Sequence, residues 1–282
     1  MSGMQIFGGE WTVEKLNILS EYLDFYLIAL QKQPFKKMYV DAFAGSGGIW
    51  LSESGQTIEG SARLVLKTAR EFDRYIFIEK SKLFVGRLQE MIRSEFPQRE
   101  RRVEIRPTDC NEALLQLCRG TDWRNNRALV FLDPYSMDVK WNTLEAMAKT
   151  RAVDVWYLFP LSAANRLMRK DGLIDEAWRA RLDDLFGENC WFEEFYRLDP
   201  RLSIFEEDNE RYIKGASTEA LTRYVCRRLS SIFPCVADNP RILYNSKNSP
   251  LFLFCFAVAN PKAKELAMRG ALHILNYSGR RE

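Results

Sequence analysis

The sequence predicts an α/β fold: a doubly wound, mostly parallel sheet with a C-terminal antiparallel hairpin and a helical insertion. Short β-rich runs alternate with helical patterns over residues 36–160, which is typical of βαβ units. Several runs, such as ALVFL at 128–132, are continuously apolar and suit a sheet that is covered on both faces. Residues 161–233 have mainly helical patterns, and two strand-like runs follow.

The change in hydrophobic period predicts the elements in chain order. Residues 11–31 form a first helix, with Thr12 as its N-cap. The predicted strands are 36–43, 74–79, 102–107, 128–134 and 153–160, and the helices between them are 61–72, 81–95, 110–119 and 140–150. Strands at 241–247 and 251–259 form the hairpin, and a last helix follows. We therefore expect a single domain over 1–282, with the N-terminal helix 11–31, the core sheet 36–160 and 241–276, and the insertion 161–233.

The composition is that of an ordinary globular chain. Its 282 residues are 46% hydrophobic, and the net charge of +3 is too small to indicate a nucleic-acid partner by itself. The longest apolar run, PLFLFCFAVA, is about half of the ~20 residues that a membrane helix needs. The N-terminus lacks the basic and apolar segments of a secretory signal. We expect a cytoplasmic protein without a membrane partner.

The cysteines and the single histidine do not predict a metal site. The six cysteines form no C-x-x-C pair and have no neighbouring histidine, so zinc is not expected. They fit the reduced, buried thiols of a cytoplasmic protein. His273 lies in the predicted last helix, where a structural role is the favoured interpretation.

Small and acidic residues follow the predicted strands. The first strand runs into DAFAGSGG at 41–48, the second ends at Glu79, the third is followed by Asp109, and the fourth ends at Asp133. Ligands of open α/β sheets bind at the carboxyl ends of the strands. The common position of these groups predicts a binding site at one edge of the sheet.

Each acidic group also has a structural interpretation. Asp109 precedes CNEALLQLC and is a good candidate for a helix N-cap. Asp133 precedes a proline and can simply open a turn. A glycine-rich turn after a strand is weak evidence of a ligand when it stands alone.

The spacing of these groups favours S-adenosylmethionine over a dinucleotide. Glu79 comes 38 residues after Asp41, and a long loop separates the glycines from a helix that begins near Ser61. A nicotinamide site instead has G-x-G-x-x-G opening a helix, with an acid about 20 residues on. The Asp41 carboxylate would repel phosphate but suits a cationic ligand. Glu79 would then accept hydrogen bonds from the ribose, and Asp109 would meet the adenine amino group.

Asp133, Pro134 and Tyr135 suit an amine acceptor with a flat ring. The Asp133 carboxylate and the Pro134 carbonyl can accept hydrogen bonds from an amine, and Tyr135 can stack on an unpaired base. Packing of Tyr135 against a neighbouring helix is an equally good interpretation.

Several stretches of the chain resemble the three-Cys-motif partner proteins, a family with the class I methyltransferase fold. The resemblance covers most of the chain and is carried by WTVEKLNILSEYLDFYLIAL, MYVDAFAGSGG, EGSARLVL, FLDPYSMDVKW and SPLFLFCFAVANPKAKELA. It implies a Rossmann-like methyltransferase sheet, S-adenosylmethionine as cofactor, and a three-Cys-motif protein as a possible partner.

The resemblance and the strand ends together give a set of expected site residues. The cofactor is expected at Asp41, Phe43, Ala44, Gly45, Gly47, Glu79 and Asp109, and the catalytic residues are expected to be Asp133, Pro134 and Tyr135. Methyltransferases acting on nucleic-acid amines commonly carry D/N-P-P-Y/F, whereas this chain has Asp-Pro-Tyr-Ser. A base amine of DNA or RNA is the expected acceptor. A non-catalytic, cofactor-binding partner protein is the alternative, and a nicotinamide oxidoreductase is a third, weaker one.

The insertion contains aromatic and basic clusters that also have two interpretations. Its aromatic residues form either a docking face or the insertion's own core; they are Trp178, Trp191, Phe192, Phe195 and Tyr196. The basic clusters at 165–170, 178–181 and 223–228 can guide a phosphate backbone, although such runs are more often solvated helix faces.

Overall fold

The computed structural model describes residues 5–6, 9–51, 56–198 and 212–277. The strands are β1 (Gln5–Ile6), β2 (Lys36–Asp41), β3 (Gly48–Leu51), β4 (Gln56–Glu59), β5 (Arg74–Ile78), β6 (Val103–Arg106), β7 (Asn126–Leu132), β8 (Val153–Phe159), β9 (Tyr196–Leu198), β10 (Tyr212–Lys214), β11 (Cys235–Val236), β12 (Arg241–Tyr244) and β13 (Pro250–Val258). The helices are α1 (Glu10–Ala29), α2 (Ser61–Leu66), α3 (Lys82–Glu95), α4 (Cys110–Gly120), α5 (Trp141–Lys149), α6 (Leu161–Leu167), α7 (Glu176–Phe186), α8 (Trp191–Phe195), α9 (Thr218–Ile232) and α10 (Lys264–Tyr277).

The central sheet confirms the predicted α/β fold. Its strands run in the order β6-β5-β2-β7-β8-β13, and both β11 and β12 pair with the far edge of β13. The first five of these strands are parallel to one another, whereas β13 is antiparallel to β8. The predicted C-terminal hairpin is also confirmed, since β12 pairs antiparallel with β13.

The strand order places a crevice between β2 and β7. From β2 the chain proceeds to β5 and β6 on one side, and then returns to place β7 and β8 on the other side. This reversal is the topological switch point at which open α/β sheets bind ligands. The fold therefore predicts a site at the carboxyl ends of these strands.

Helices cover both faces of the sheet, as the apolar strands predicted. Met38 and Val40 of β2 pack toward α4, α5 and the insertion, whereas Tyr39 between them packs toward α1, α2, α3 and α10. This alternation is the period of two of a strand. All seven residues of β8 are buried, so this strand lies in the centre of the molecule.

The start of α1, the end of α2 and the loop after β2 differ from the sequence prediction. Helix α1 begins at Glu10 with Gly9 as its N-cap, so the assignment of Thr12 as the cap was wrong. Helix α2 ends at Leu66 and not near residue 72. Beyond this end the Thr68 hydroxyl lies within hydrogen-bond distance of two carbonyls, 2.8 Å from Val65 O and 2.7 Å from Arg70 O. The predicted long loop after the glycines contains the antiparallel strands β3 and β4.

The aromatic residues of the insertion form a core. Trp191, Phe195 and Tyr196 are at most 6% exposed, and Trp178 and Phe192 pack partly buried against them. The insertion is not wholly helical, because β9 and β10 pair in it. These burials support the structural interpretation over a docking face.

In the part of the chain that the structure describes, no helix has the length and apolar character of a membrane span.

Candidate functional site

A cavity of about 600 Å³ opens at the switch point. Its lining comes from the loop after β2, the residue that follows β5, the turn after β7 and the starts of α1, α2, α3, β3 and β13. Its size is within the range of small-molecule sites. Seven of the residues expected from the sequence line it, namely Phe43, Ala44, Gly47, Glu79, Asp133, Pro134 and Tyr135.

The glycines of the loop after β2 serve the loop's own conformation. Gly45 and Gly47 have φ values of 61° and 82°, in the left-handed region that favours glycine. A Cβ on Gly47 would also lie 2.6 Å from Cε of Met91. The absent side chain at Gly47 therefore makes room for α3, and the loop presents backbone to the cavity.

Glu79 fixes the same loop from the neighbouring strand. Its Oε2 accepts a hydrogen bond from Gly45 N at 2.9 Å, and its Oε1 accepts one from Ser81 N at 2.7 Å. The Ala44 amide donates to the Ile78 carbonyl at 3.0 Å. A carboxylate has about four lone-pair sites, so Glu79 retains acceptor capacity toward the cavity that it lines.

Asp41 lies beneath the loop and not in the lining of the cavity. Its side chain is fully buried, and its Oδ1 accepts a hydrogen bond from Phe43 N at 3.1 Å. Among the described residues no donor reaches its Oδ2. Burial raises the pKa of Asp41 to about 7, against the opposing effects of Ser61 and the Phe43 amide. A direct cofactor contact of Asp41 stays a prediction.

Asp109 is the N-cap of α4. Its Oδ1 accepts hydrogen bonds from Asn111 N at 2.9 Å and from Glu112 N at 3.4 Å. Neither Asp109 nor Gly45 is among the residues that line the cavity. The interpretation of Asp109 as a helix N-cap is thus confirmed. Its contact with an adenine stays a prediction.

The turn after β7 carries the other end of the cavity. Asp133 is 20% exposed, and Tyr135 is 73% exposed, so its ring does not pack into the core. Trp11 and Phe252 form a second aromatic wall, with their ring centroids 5.0 Å apart. This end combines one carboxylate with flat apolar surfaces.

Lys15 is the site residue that the sequence prediction missed. It lines the cavity from α1 and forms an ion pair with Asp133 Oδ2. A signal was present, because Lys15 stands on the same helix face as the apolar Leu16 and Leu19. A charged residue at such a position needs a buried partner.

The charges of the cavity suit a cationic ligand without phosphate. Of the described lining residues, Glu79 and Asp133 are acidic and Lys15 is the one cation. Because Lys15 is already paired with Asp133, it does not provide a free cation for a pyrophosphate. The residues present therefore fit S-adenosylmethionine, which carries a sulfonium and an amino-acid end, better than a dinucleotide.

Three of the eight basic residues in the insertion's clusters form salt bridges with acids of the described chain. Arg169 pairs with Asp171 at 2.6 Å, and Arg228 pairs with Glu188 at 3.0 Å. Partial pairing of this kind is compatible with both interpretations of the clusters. Within the described residues, no group of three or more His, Cys, Asp or Glu could hold a metal ion.

The cysteines are free thiols with differing exposure. Cys110 and Cys255 are buried, whereas Cys190 is exposed. His273 is exposed on α10. Neither side-chain type lines the cavity.

No protein-family model matches the chain, and no curated protein sequence matches it. Among solved structures it is similar to a Legionella pneumophila protein of the DUF519 family, at 13% identity and a TM-score of 0.48 over 98% of this chain and 94% of that chain. It is also similar to the methyltransferase domain of a bacterial Hen1, at 12% identity and a TM-score of 0.38 over 86% of this chain and 98% of that chain.

A third similar structure is an S-adenosylmethionine-dependent methyltransferase from Clostridium acetobutylicum. The identity is 11% and the TM-score 0.32, over 85% of this chain and 91% of that chain. With TM-scores below 0.5, these similarities carry no argument about this chain. The assignment of a Rossmann-like fold rests on the strand order and pairing described above.

Proposed function

We propose that the protein is an S-adenosylmethionine-dependent methyltransferase that acts on an amino group of a nucleic-acid base. One observation carries the proposal: a single cavity joins the glycine loop and Glu79 to Asp133, Pro134 and Tyr135. One end of the cavity can bind a methyl donor, and the other end can bind an amine.

The donor would occupy the end of the cavity formed by the loop and Glu79. Glu79 would accept hydrogen bonds from ribose hydroxyls, and the backbone near Ala44 and Gly47 would approach the methionine portion. Bound S-adenosylmethionine supplies an electrophilic methyl group on its sulfonium. Phe84 and Ile49 add apolar surface to this end.

The acceptor would occupy the end formed by the turn after β7. Asp133 Oδ1 and the Pro134 carbonyl would accept hydrogen bonds from the two amine hydrogens, which raises electron density on the nitrogen. Tyr135 offers an exposed ring for stacking on a base. The methylated nitrogen loses one proton, which can pass to the Asp133 carboxylate or to water. Catalysis rests mainly on proximity and orientation.

We also propose that the chain belongs to the three-Cys-motif partner proteins, with a three-Cys-motif protein as a partner. The support is the loop DAFAGSGG together with DPY. The departure from D-P-P-Y leaves Asp133 and the aromatic ring in place. The cytoplasmic location that the sequence favours stays a prediction.

A non-catalytic, cofactor-binding partner protein is the second candidate function. The polar groups of the site have partners within the chain: Glu79 holds two backbone amides, and Asp133 is paired with Lys15. A site whose polar groups already have partners within the chain could be stable without being catalytic. Its prediction is S-adenosylmethionine binding without transfer to any acceptor.

The test is transfer of a tritiated methyl group to DNA, RNA and whole-cell protein, for wild type, Asp133→Ala and Asp184→Ala. Asp184 is an exposed control residue that pairs with Lys140 on the surface. We expect transfer to a nucleic acid by wild type and Asp184→Ala, and a loss of at least about 100-fold in Asp133→Ala. Full activity of Asp133→Ala would show that Asp133 has no role in catalysis. Calorimetric binding without transfer by wild type would favour the second candidate.

A further inference from the structure

A lysine occupies a core position of α1. Lys15 is 4% exposed, and its neighbours on the buried face include Leu16, Leu19 and Leu23. Burial of an ammonium group is costly unless an opposite charge compensates it. The presence of Lys15 there indicates a role that an apolar residue could not fill.

The ammonium of Lys15 has two partners, and both belong to the cavity. It forms an ion pair with Asp133 Oδ2 across 118 positions of sequence, and it lies 4.8 Å from the centre of the Trp11 ring. All three residues line the cavity. The contact is therefore a part of the acceptor end and not a distant structural bridge.

The ion pair leaves one oxygen of Asp133 available. Oδ2 is bound to Lys15, and none of the described residues donates a hydrogen bond to Oδ1. A carboxylate that is held through one oxygen presents the other in a fixed direction. Lys15 therefore orients the group that, in the proposed function, accepts the hydrogen bond of the amine.

The same ion pair sets the charge of the acceptor end. Asp133 is the acidic group and Lys15 the cation at this end of the described lining, so Lys15 offsets the charge of Asp133. The buried Asp41 carboxyl beneath them interacts electrostatically with both. A neutral amine can bind Oδ1 without an electrostatic penalty. An alkylammonium at Oδ1 would be attracted by Asp133 and repelled by the like charge of Lys15, so it would bind less tightly than it would to an unpaired carboxylate.

We propose that Lys15 is a positioning residue for Asp133 and that it makes the acceptor end select a neutral aromatic amine over a cationic alkylamine. This inference rests on the proposed function and gives a physical reason for the class of amine named there. The exocyclic amines of nucleobases are neutral at pH 7, whereas lysine side chains and polyamines are cationic.

The test uses Lys15→Met, which keeps the length of the side chain and removes its charge, and Lys15→Arg, which keeps the charge. Lys37→Met is the matched control, because Lys37 pairs with Asp73 at 3.6 Å and does not line the cavity. Initial rates are measured on single-stranded oligonucleotides, and spermidine is titrated by calorimetry. Thermal melts show which variants are folded.

We expect Lys15→Met to lower kcat on oligonucleotides at least 10-fold with the affinity for S-adenosylmethionine unchanged. Lys15→Arg should retain kcat within a few-fold. Spermidine should bind Lys15→Met at least 10-fold more tightly than wild type. The double variant Lys15→Met/Asp133→Asn should lose that gain, because the unpaired carboxylate that attracts spermidine is then absent.

The outcomes separate this inference from the proposed function. If wild type transfers a methyl group to nothing, the proposed function fails, and the spermidine titration still decides the role of Lys15. Equal spermidine binding by wild type and a folded Lys15→Met overturns the inference. An unchanged kcat in Lys15→Met overturns it as well, even if oligonucleotides are confirmed as substrates.

Discussion

Glu79 Oε2 accepts a hydrogen bond from the backbone amide of Gly45 at 2.9 Å, which fixes the loop after one strand to the end of its neighbour. Glu79→Gln should weaken S-adenosylmethionine binding by at least about 10-fold, or ~1.4 kcal/mol. The amide replaces one acceptor oxygen with a donor, which then faces the amide of Gly45 or Ser81. Calorimetry measures the effect. Glu90→Gln, an exposed position on α3, should bind as wild type, and equal binding by both variants would contradict a role of Glu79.

Gly47→Ala should destabilise the protein by about 1–3 kcal/mol and weaken cofactor binding. An alanine would have to adopt the left-handed φ of 82° that Gly47 has. Its Cβ would lie 2.6 Å from Met91 Cε. Gly86→Ala is the control, since a Cβ on this α3 residue meets nothing within 4 Å. That change should stabilise the protein by about 0.5–1 kcal/mol. Urea unfolding measures the free energy of unfolding of both variants. Similar changes at the two positions would contradict the left-handed φ of Gly47 and its close approach to Met91.

Asp154→Asn should change how stability depends on pH. Burial raises the pKa of Asp154 from 3.8 to about 7, although the Tyr22 hydroxyl and Arg127 oppose the rise. Between these pH values the folded state holds a proton that the unfolded state releases, so this contribution to stability is lost as pH rises toward 7. Asparagine does not titrate, so Asp154→Asn does not lose stability in this way as pH rises.

The measurement for Asp154 is the free energy of unfolding of both proteins from pH 5 to 8. The stability of Asp154→Asn relative to wild type should rise by about 2 kcal/mol over this range. Asp41, whose pKa is also raised to about 7, titrates in both proteins and cancels in the difference. A difference that is constant with pH would show that Asp154 does not titrate in this range.

Gly187→Ala should lower the free energy of unfolding by more than about 2 kcal/mol. Gly187 ends α7 with a φ of 71°, and a Cβ there would lie 2.0 Å from the Trp141 ring. Because Trp141 belongs to α5 under the sheet, we expect one cooperative transition in which insertion and core unfold together. Gly120→Ala, where a Cβ meets nothing within 4 Å, is the control. A separate early transition of the insertion would contradict a single domain.

The sequence predicted the features that depend on neighbours along the chain. The strands, their common edge and the loop at 41–48 have local patterns of hydrophobicity and small residues. Glu79 could be placed because it directly follows a strand. The antiparallel pair β3 and β4 was missed, since glycine and serine residues separate the apolar residues over 45–60 and are typical of a loop.

Features that depend on distant partners could not be predicted in the same way. The partner of Lys15 lies 118 residues away in the sequence. The role of Lys15 at the site therefore becomes visible only when the packed structure is known. Asp41 is a related case: its position after a strand was clear, but its full burial beneath the loop depends on the helices above it. Asp109 had two interpretations, and only the structure shows that it caps α4.

The contact between Trp11 and Phe252 determines when the cavity can form during translation. A chain emerges from the ribosome from its N-terminus, and a domain generally folds as a unit. The glycine loop and Glu79 are translated in the first third of the chain, whereas the partner of Trp11 arrives only with β13. The complete cavity therefore forms only near the end of translation, after β13 has been synthesised.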